Sequence, residues 1–253
     1  MRTAVIIGAT SGIGRTVAEK LLREGWRVVV TGRRVEALER IRSEHARGSV
    51  VTYPMDVTQE SASEILCRIV SEVGMPQLLM YVSGVGYQNR MLDMDKELGT
   101  VRTNCEGMVR ILSCFLDLVR KAASNGTISM DSPVQVAVVS SVAGTKGLGT
   151  APAYSATKKM QSTYVSALSQ LARMEKLPVE FTDIRPGFVT TEILDPSKHY
   201  PMAISARKAA EYIVKGLKRR RRVIVFDWRF RIVVLLWRLI PDFIWERITI
   251  VKN

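Results

Sequence analysis

Short runs of β-branched residues alternate along the chain with longer amphipathic stretches, and this alternation restricts the fold more than any other feature. The alternation predicts βαβ units and a parallel sheet. Strands are predicted at 3–8, 27–31, 49–53, 77–82, 134–140, 178–184 and 222–226, and the longest helices at 97–121 and 153–175. No Ser/Gly-rich linker, low-complexity tract or repeat divides the 253 residues. A single doubly wound α/β domain with seven parallel strands and helices on both faces is therefore expected.

A glycine-rich turn directly follows the first predicted strand and directly precedes a helix. Glycines permit a tight turn and let the backbone approach a pyrophosphate, which then rests on the positive end of the helix. The turn predicts nucleotide binding, with a purely structural turn as the alternative. Its candidate cofactor-binding residues are Gly8, Thr10, Ser11, Gly12, Ile13 and Gly14.

The second predicted strand ends in Gly32-Arg33-Arg34 and carries no acidic residue there. A carboxylate at this point typically binds the ribose 2′-hydroxyl of NAD, whereas arginine accommodates a 2′-phosphate. Arg33 offers a planar, permanently charged group suited to phosphate. The segment favours NADP(H), and the alternative is that both arginines simply begin a solvated helix.

The segment from Ala151 to Lys158 places a phenol and an ammonium on one helix face. Tyr154 is expected in the first turn of a helix, and Lys158 follows one turn later. A nearby cation favours the phenolate of a tyrosine, whose ordinary pKa of about 10 is too high for proton transfer at neutral pH. Ser141 precedes Tyr154 by thirteen residues, and the hydroxyls of both residues could bind one carbonyl oxygen of a substrate. An ordinary amphipathic helix is the alternative.

Taken together, these motifs resemble the short-chain dehydrogenase/reductase family over about residues 3–226. The resemblance rests on the joint spacing Gly8-x3-Gly12-x-Gly14, Ser141-x12-Tyr154-x3-Lys158 and a later Pro186-Gly187. It implies a Rossmann-type fold in which Tyr154 transfers a proton and Ser141 holds the substrate oxygen. Lys158 would bind the nicotinamide ribose and lower the tyrosine pKa.

The resemblance also implies roles for residues elsewhere in the chain. Asn104 matches an asparagine that supports a water-mediated proton relay, although a helix-interior amide satisfied by the backbone is the alternative. Asp56 matches a residue that contacts adenine. The remaining cofactor-binding candidates are Val57, Gly84, Pro186, Gly187, Val189 and Thr191.

Two segments depart from the family pattern. Tyr81-Val82-Ser83-Gly84 stands where Asn-Asn-Ala-Gly is usual, and Ile7 stands where threonine often precedes the first glycine. The first change leaves open a catalytically idle NADP-binding sensor or scaffold at a membrane surface. That alternative gives no reason to keep Ser141, Tyr154 and Lys158 together.

The segment after Thr191 contains Ile193, Leu194, Tyr200 and Met202. In this fold such a segment closes over the substrate at the carboxyl ends of the strands. An apolar lid over a lipophilic substrate is expected, and an exposed connector is the alternative.

The C-terminal end carries most of the net charge of +13, with thirteen Lys/Arg against four Asp/Glu from residue 207 onward. A basic run, Lys218–Arg222, precedes the last strand, and an apolar stretch with Trp237 and Trp245 follows from Phe230 to Arg247. A helical projection groups Arg231, Arg238, Asp242 and Glu246 on one stripe. Residues 1–226 are thus assigned to the catalytic domain and 227–253 to a helical extension that Pro241 interrupts. The extension either lies on an anionic membrane or packs on the domain or a second subunit.

The remaining composition argues for a cytoplasmic protein without a metal site. Three cysteines without a C-x-x-C pair indicate neither a disulfide framework nor a thiolate cluster, and the two histidines have no partner at ligand spacing. The short apolar run near the N-terminus predicts a strand rather than a signal peptide. The expected protein is an NADP(H)-dependent enzyme that interconverts a ketone and a secondary alcohol and forms a homodimer or homotetramer. It is expected to bind no nucleic acid, and a peripheral membrane position depends on the C-terminal extension.

Overall fold

The computed structural model describes residues 1–191, 200 and 202–248, and it contains the seven predicted strands in one sheet. These strands are β1 (Thr3–Ile7), β2 (Arg27–Gly32), β3 (Val50–Pro54), β4 (Leu78–Tyr81), β5 (Val134–Val139), β6 (Val179–Arg185) and β9 (Val223–Val225). They run in the order β3-β2-β1-β4-β5-β6-β9, and every pairing is parallel. The predicted fold class is confirmed. A separate two-stranded ribbon pairs β7 (Val189–Thr190) with β8 (Ile204–Ser205).

The helices lie on both faces of the sheet. They are α1 (Gly12–Arg23), α2 (Val35–Ser43), α3 (Ser61–Val73), α4 (Met94–Val101), α5 (Gly107–Ser124), α6 (Pro152–Met174), α7 (Ala206–Lys218), α8 (Trp228–Leu239) and α9 (Asp242–Trp245). A π-helical segment, Arg102–Glu106, joins α4 to α5, and a 3₁₀ turn, Val142–Thr145, follows β5. The helix predicted at 97–121 therefore extends from Met94 to Ser124 and contains a π-helical segment, whose turns are wider than those of an α-helix.

Two apolar cores stabilise this arrangement, one on each face of the sheet. The first buries one face of α1, α2 and α7 against the strands, and the second buries α3, α5 and α6. Because both faces are covered, all five residues of β1 are buried, which explains why the strands appear in the sequence as continuous apolar runs.

The strand order reverses between β1 and β4, which are neighbours in the sheet. In open parallel sheets, the crevice outside the carboxyl ends of the strands at such a reversal is the binding site for ligands. The segments that leave β1, β4 and β5 at this edge contain the glycine turn, Gly84 and Ser141. The topology therefore brings the sequence motifs to one place.

The C-terminal helices pack against the loop that follows β5. Phe230 and Val234 are buried with Val142, and Trp245 donates from Nε1 to the carbonyl oxygen of Gly147 at 2.6 Å. Trp245 thus packs on the domain, which is one of the alternatives that the sequence left open for the apolar stretch. The stretch does not form one continuous helix, because α8 ends at Leu239, before Pro241, and α9 starts in a new direction.

The basic run Lys218–Arg222 lies at the opposite edge of the sheet from α8. It precedes β9, at the amino ends of the parallel strands, whereas α8 follows the carboxyl end of β9. Lys218 pairs with Glu24 at 2.9 Å and Arg220 with Glu180 at 2.7 Å. The run therefore does not flank the apolar helix in space. Within the described ranges, no helix is long and apolar enough to cross a membrane.

Candidate active site

The glycine turn holds the backbone in conformations that side chains disfavour. Gly8 and Gly12 have φ values of +89° and +55°, in the left-handed region. A Cβ atom on Gly14 would meet the carbonyl oxygen of Gly8, so this glycine lets α1 approach the end of β1. Ser11 occupies the N-cap of α1 without a side-chain cap bond, and the first turn of α1 has no acidic residue. This helix end suits a pyrophosphate.

A cleft of about 540 Å³ opens above the carboxyl ends of the strands. Sixteen of the eighteen residues predicted from the sequence line it: Gly8, Thr10, Ser11, Gly12, Ile13, Arg33, Asp56, Val57, Gly84, Ser141, Tyr154, Lys158, Pro186, Gly187, Val189 and Thr191. The other two are Gly14, which packs beneath the turn, and Asn104, which is buried behind Gly84. The cleft combines a nucleotide-sized cradle with three chemically active side chains.

Arg33 and Arg34 both line the cleft where β2 ends. Arg33 is exposed and forms no ion pair with another described residue, whereas Arg34 donates to Thr10 Oγ1 at 3.2 Å. Arg34 was not among the predicted site residues, although its place beside Arg33 in the sequence was a sufficient signal. Asp56 Oδ1 accepts from Thr58 Oγ1 at 2.8 Å, which fixes its carboxylate at the rim.

Ser141 begins the 3₁₀ turn that follows β5. Its Oγ accepts from the main-chain nitrogen of Ala143 at 3.1 Å and lies 3.4 Å from the carbonyl oxygen of Pro186. The hydroxyl lies close enough to the Tyr154 phenol to lower the pKa of that group, and both side chains line the cleft. Serine and tyrosine can therefore bind one substrate oxygen together.

Tyr154 lies in the first turn of α6, two residues after Pro152 at the helix start. A Cβ atom on Gly86 would overlap the Tyr154 ring, so this glycine lets the segment after β4 lie against the phenol. Burial raises the Tyr154 pKa above its ordinary value, and the nearby Ser141 hydroxyl opposes that rise. The resemblance predicted a lowered pKa, but in the chain alone desolvation is the larger effect.

Lys158 is almost completely buried below the cleft, with 5% of its surface exposed. Its Nζ lies 5.7 Å from the centroid of the Tyr154 ring and donates to the carbonyl oxygen of Val139 at 3.0 Å. Burial lowers the Lys158 pKa to about 8, while Cys105 and Asp183 favour the charged form. Lysine is therefore still mostly charged at neutral pH.

Asn104 is fully buried in the π-helical segment. Its side chain accepts from the main-chain nitrogen of Val85 at 2.9 Å and donates to the carbonyl oxygen of the same residue at 2.8 Å. Thr157 Oγ1 accepts a further hydrogen bond at 3.0 Å. The Asn104 side chain thus anchors the segment after β4 to α6.

Two side chains that the sequence analysis did not select bind the carbonyl oxygens of the π-helical segment. Tyr81 donates to Thr103 at 2.8 Å, and Gln161 donates from Nε2 to Asn104 at 2.8 Å. Tyr81 belongs to the segment that departs from the family pattern, so this substitution provides a tether for the wide turn. Gln161 could have been suspected because it lies three residues after Lys158 on the same helix face.

The segment expected to form a lid is only partly described, because residues 192–199, with Ile193 and Leu194, lie outside the described ranges. The Tyr200 ring lies 5.0 Å from that of Phe188, and Met202 packs on the apolar cluster around Phe230. The described end of this segment therefore contacts an aromatic wall beyond the cofactor cradle.

Comparison with known proteins identifies the family. The sequence pattern of the short chain dehydrogenase family matches residues 2–200. An uncharacterized oxidoreductase of Myxococcus xanthus is 31% identical over 248 residues, which cover 95% of this chain and 93% of that protein. This chain belongs to the short-chain dehydrogenase/reductase family. It is accordingly an oxidoreductase.

Solved structures of short-chain dehydrogenases/reductases share the fold. The structure of ElxO with NADP bound matches with a TM-score of 0.77 at 20% identity, covering 91% of this chain and 98% of ElxO. A 3-ketoacyl-(acyl-carrier-protein) reductase from Brucella melitensis, complexed with NADH, matches with a TM-score of 0.78 at 18% identity, covering 89% and 96%. Both nicotinamide cofactors occur among these relatives, so cofactor preference has to be argued from this chain's own residues.

The buried lysine should give this oxidoreductase a measurable pH dependence of stability. Between pH 8 and 10.5 the unfolded chain binds more protons at Lys158 than the folded chain, so the free energy of unfolding rises with pH. Across this window we expect the free energy of unfolding of the wild type to rise by on the order of 3 kcal/mol more than that of Lys158→Met. Urea unfolding at a series of pH values measures the difference. The control is Lys159→Met at an exposed neighbour, and parallel curves for wild type and Lys158→Met would contradict the burial argument.

Proposed function

We propose that this protein is an NADP(H)-dependent reductase or dehydrogenase that interconverts a ketone and a secondary alcohol. The observation that carries the proposal is the convergence of the Ser141 hydroxyl, the Tyr154 phenol and the Lys158 ammonium in one cleft with the glycine turn. Hydrogen-bond donors that converge on a developing oxyanion stabilise the transition state of carbonyl reduction.

In this mechanism the chain supplies positioning and one proton. Bound NADPH would supply the hydride, which adds to the carbonyl carbon of the substrate. Ser141 and Tyr154 hold the carbonyl oxygen, and Tyr154 donates its phenolic proton to that oxygen as the carbonyl bond becomes a single bond. The nearby Lys158 charge stabilises the resulting phenolate. In the direction of alcohol oxidation, the same phenolate accepts the proton.

Exposed arginine at the end of β2 supports a preference for NADP(H). Arg33 lines the cleft beside the region expected for the adenosine ribose, and its guanidinium can bind a 2′-phosphate through two hydrogen bonds. The main-chain groups at the start of α1 would bind the pyrophosphate. NADH, which lacks the 2′-phosphate, would leave Arg33 without a charged partner.

Apolar surroundings of the cleft support a lipophilic substrate. Phe188, Phe230 and Met202 form a cluster next to Gly187. On the segment after β4, Tyr87 lines the cleft, and Met91 and Leu92 a few residues later are exposed. Such side chains lose unfavourable contact with water when they meet an apolar substrate. Keto-acyl chains, keto-sphingoid bases and steroids all have this character.

The outer face of the C-terminal helices supports a peripheral membrane position. Leu235, Leu236 and Leu239 of α8 are 58%, 54% and 70% exposed, and Phe243 of α9 is 61% exposed. Arginines border this surface, at positions 229, 231, 238 and 247. A partly exposed apolar face bordered by arginines is typical of helices that lie at an anionic lipid surface. We refer to these four apolar residues as the α8–α9 face.

The proposal includes a homodimer or homotetramer formed through the two long helices. α5 and α6 lie side by side, joined by the Ser113 and Tyr164 hydroxyls at 3.1 Å and by Arg120 with Glu175 at 2.8 Å. Their outer surfaces, together with exposed Leu98 and Val101 nearby, are available to a second copy.

Removing the phenolic hydroxyl tests the catalytic assignment. We expect Tyr154→Phe to lower kcat by about 100-fold or more, because proton transfer by a positioned group contributes on that scale. NADPH affinity should change little. NADPH oxidation with a panel of lipophilic ketones measures the rate, with Tyr164→Phe on the same helix as the control. Equal rates for wild type and Tyr154→Phe would remove the assignment and favour an idle NADP-binding protein.

Removing the Arg33 charge tests the cofactor preference. We expect Arg33→Ala to weaken NADPH binding by about 10- to 100-fold, the scale of one charge-assisted hydrogen-bonded contact, with little effect on NADH. Fluorescence titration measures both dissociation constants. Arg40→Ala, at an exposed position of α2 that does not line the cleft, is the control. An unchanged ratio of the two constants would refute the role of Arg33.

Charges placed on the α8–α9 face test the membrane proposal. We expect wild type to float with vesicles of phosphatidylcholine and phosphatidylserine, and Leu236→Glu and Phe243→Glu to lose most of this binding. Met130→Glu and Met174→Glu are controls at exposed apolar positions elsewhere. Absence of flotation by wild type contradicts the proposal. If the two variants instead dissociate an oligomer in size-exclusion chromatography, the face belongs to a subunit interface.

A further inference from the structure

Gln161 is a fully buried polar side chain, with 0% of its surface exposed, to which the proposed reaction gives no role. Its two ends bind different parts of the site. Oε1 accepts from Lys158 Nζ at 3.0 Å, and Nε2 donates to the carbonyl oxygen of Asn104 at 2.8 Å. The amide therefore forms a direct bridge between the lysine of α6 and the π-helical segment.

The bridge restricts where the Lys158 ammonium can lie. An ammonium has three donors, and two are used by Val139 and Gln161, at the end of β5 and on α6. These acceptors hold Nζ from two sides. A Cβ atom on Gly84 would lie 3.4 Å from Nζ, so the segment after β4 passes close to the third side.

We propose that Gln161 is a positioning residue that fixes the Lys158 ammonium beneath the cleft and couples it to the π-helical segment. The inference rests on the proposed function of Lys158, and it adds a residue that does not itself line the cleft. An apolar side chain of similar size would fill the same volume. It would leave both Nζ and the Asn104 carbonyl oxygen without these partners, and buried polar groups without partners are costly.

The bridge also affects the protonation of Lys158. Burial lowers the Lys158 pKa to about 8, and the titratable groups that face it are Tyr154 on α6, Cys105 in the π-helical segment and Asp183 on β6. A neutral amide adds no charge to this set. Its carbonyl oxygen favours the charged lysine by accepting a hydrogen bond from it. Without that acceptor, the lysine should lose its proton at lower pH.

Two substitutions at position 161 should move the lysine titration in opposite directions. Gln161→Met keeps an unbranched side chain but removes the amide, so the pKa should fall. Gln161→Glu places a carboxylate beside Nζ, so the pKa should rise. The fall in Gln161→Met is the informative shift, because a carboxylate beside Nζ would raise the lysine pKa whatever role the glutamine plays.

The readout is the dissociation constant of NADPH from pH 6 to 10, measured by fluorescence without turnover. Loss of the Lys158 charge should weaken NADPH binding at high pH, so the plot of the dissociation constant against pH should have an alkaline limb. Lys158→Met should abolish this limb. We expect the limb to move down by at least half a pH unit in Gln161→Met and up by a similar amount in Gln161→Glu. Gln170→Met and Gln170→Glu, at an exposed position on α6, should leave it unchanged.

The proposal is overturned if folded Gln161 variants titrate like wild type, or if wild type has no limb that depends on Lys158. If Gln161→Met does not fold, Gln161→Leu, which also lacks the amide, decides the outcome by the presence or absence of the downward shift. Because binding is measured without substrate, failure of ketone turnover would count against the proposed reaction alone.

Discussion

Burial of one ammonium beneath a cleft is the constraint on which the active-site architecture depends. Acceptors from β5 and α6 bind the buried Lys158 Nζ, and Cys105 and Asp183 favour its charged form against the effect of burial. Asp183 is itself fully buried, and it is compensated by Arg185 at 2.7 Å and by the Ser140 hydroxyl at 2.5 Å. The carboxyl edge of the sheet is thus a linked set of polar groups, and the apolar cores on both faces hold it in register.

The sequence predicted the sheet well because burial on both faces leaves a local signal. All seven strands appear as apolar runs, and the spacing from Ser141 to Lys158 anticipated three groups that line the cleft. The spacing of Gln161 from Lys158 is visible in the sequence, but its hydrogen bond to the carbonyl oxygen of Asn104, 57 residues away, is not. The sequence left the packing of Trp245 undecided for the same reason, because its partner is Gly147 in a distant loop. Local periodicity does not report contacts that form only after the helices pack.

The C-terminal helices connect the outer surface to the part of the cleft that contains Ser141 and Gly187. Trp245 donates to the carbonyl oxygen of Gly147, and Asp242 pairs with Lys146 at 2.5 Å. Both contacts hold the loop that begins at Ser141. Phe230 contacts Gly187, where a side chain would overlap its ring. The same helices carry the α8–α9 face on their other side. Whatever covers that face therefore lies one helix away from Ser141 and Gly187, which line the cleft.

Desolvation acts on the two proton-carrying groups in opposite directions, and this asymmetry favours one protonation state. Burial raises the Tyr154 pKa and lowers that of Lys158 to about 8. At neutral pH the phenol therefore keeps its proton, while the lysine is still mostly charged. A neutral phenol beside an ammonium is the state that carbonyl reduction consumes, since reduction needs a proton donor and a cation to stabilise the phenolate. Alcohol oxidation would instead start from a phenolate, which burial disfavours. Within the proposed mechanism, the chain alone therefore favours the protonation state that reduction requires.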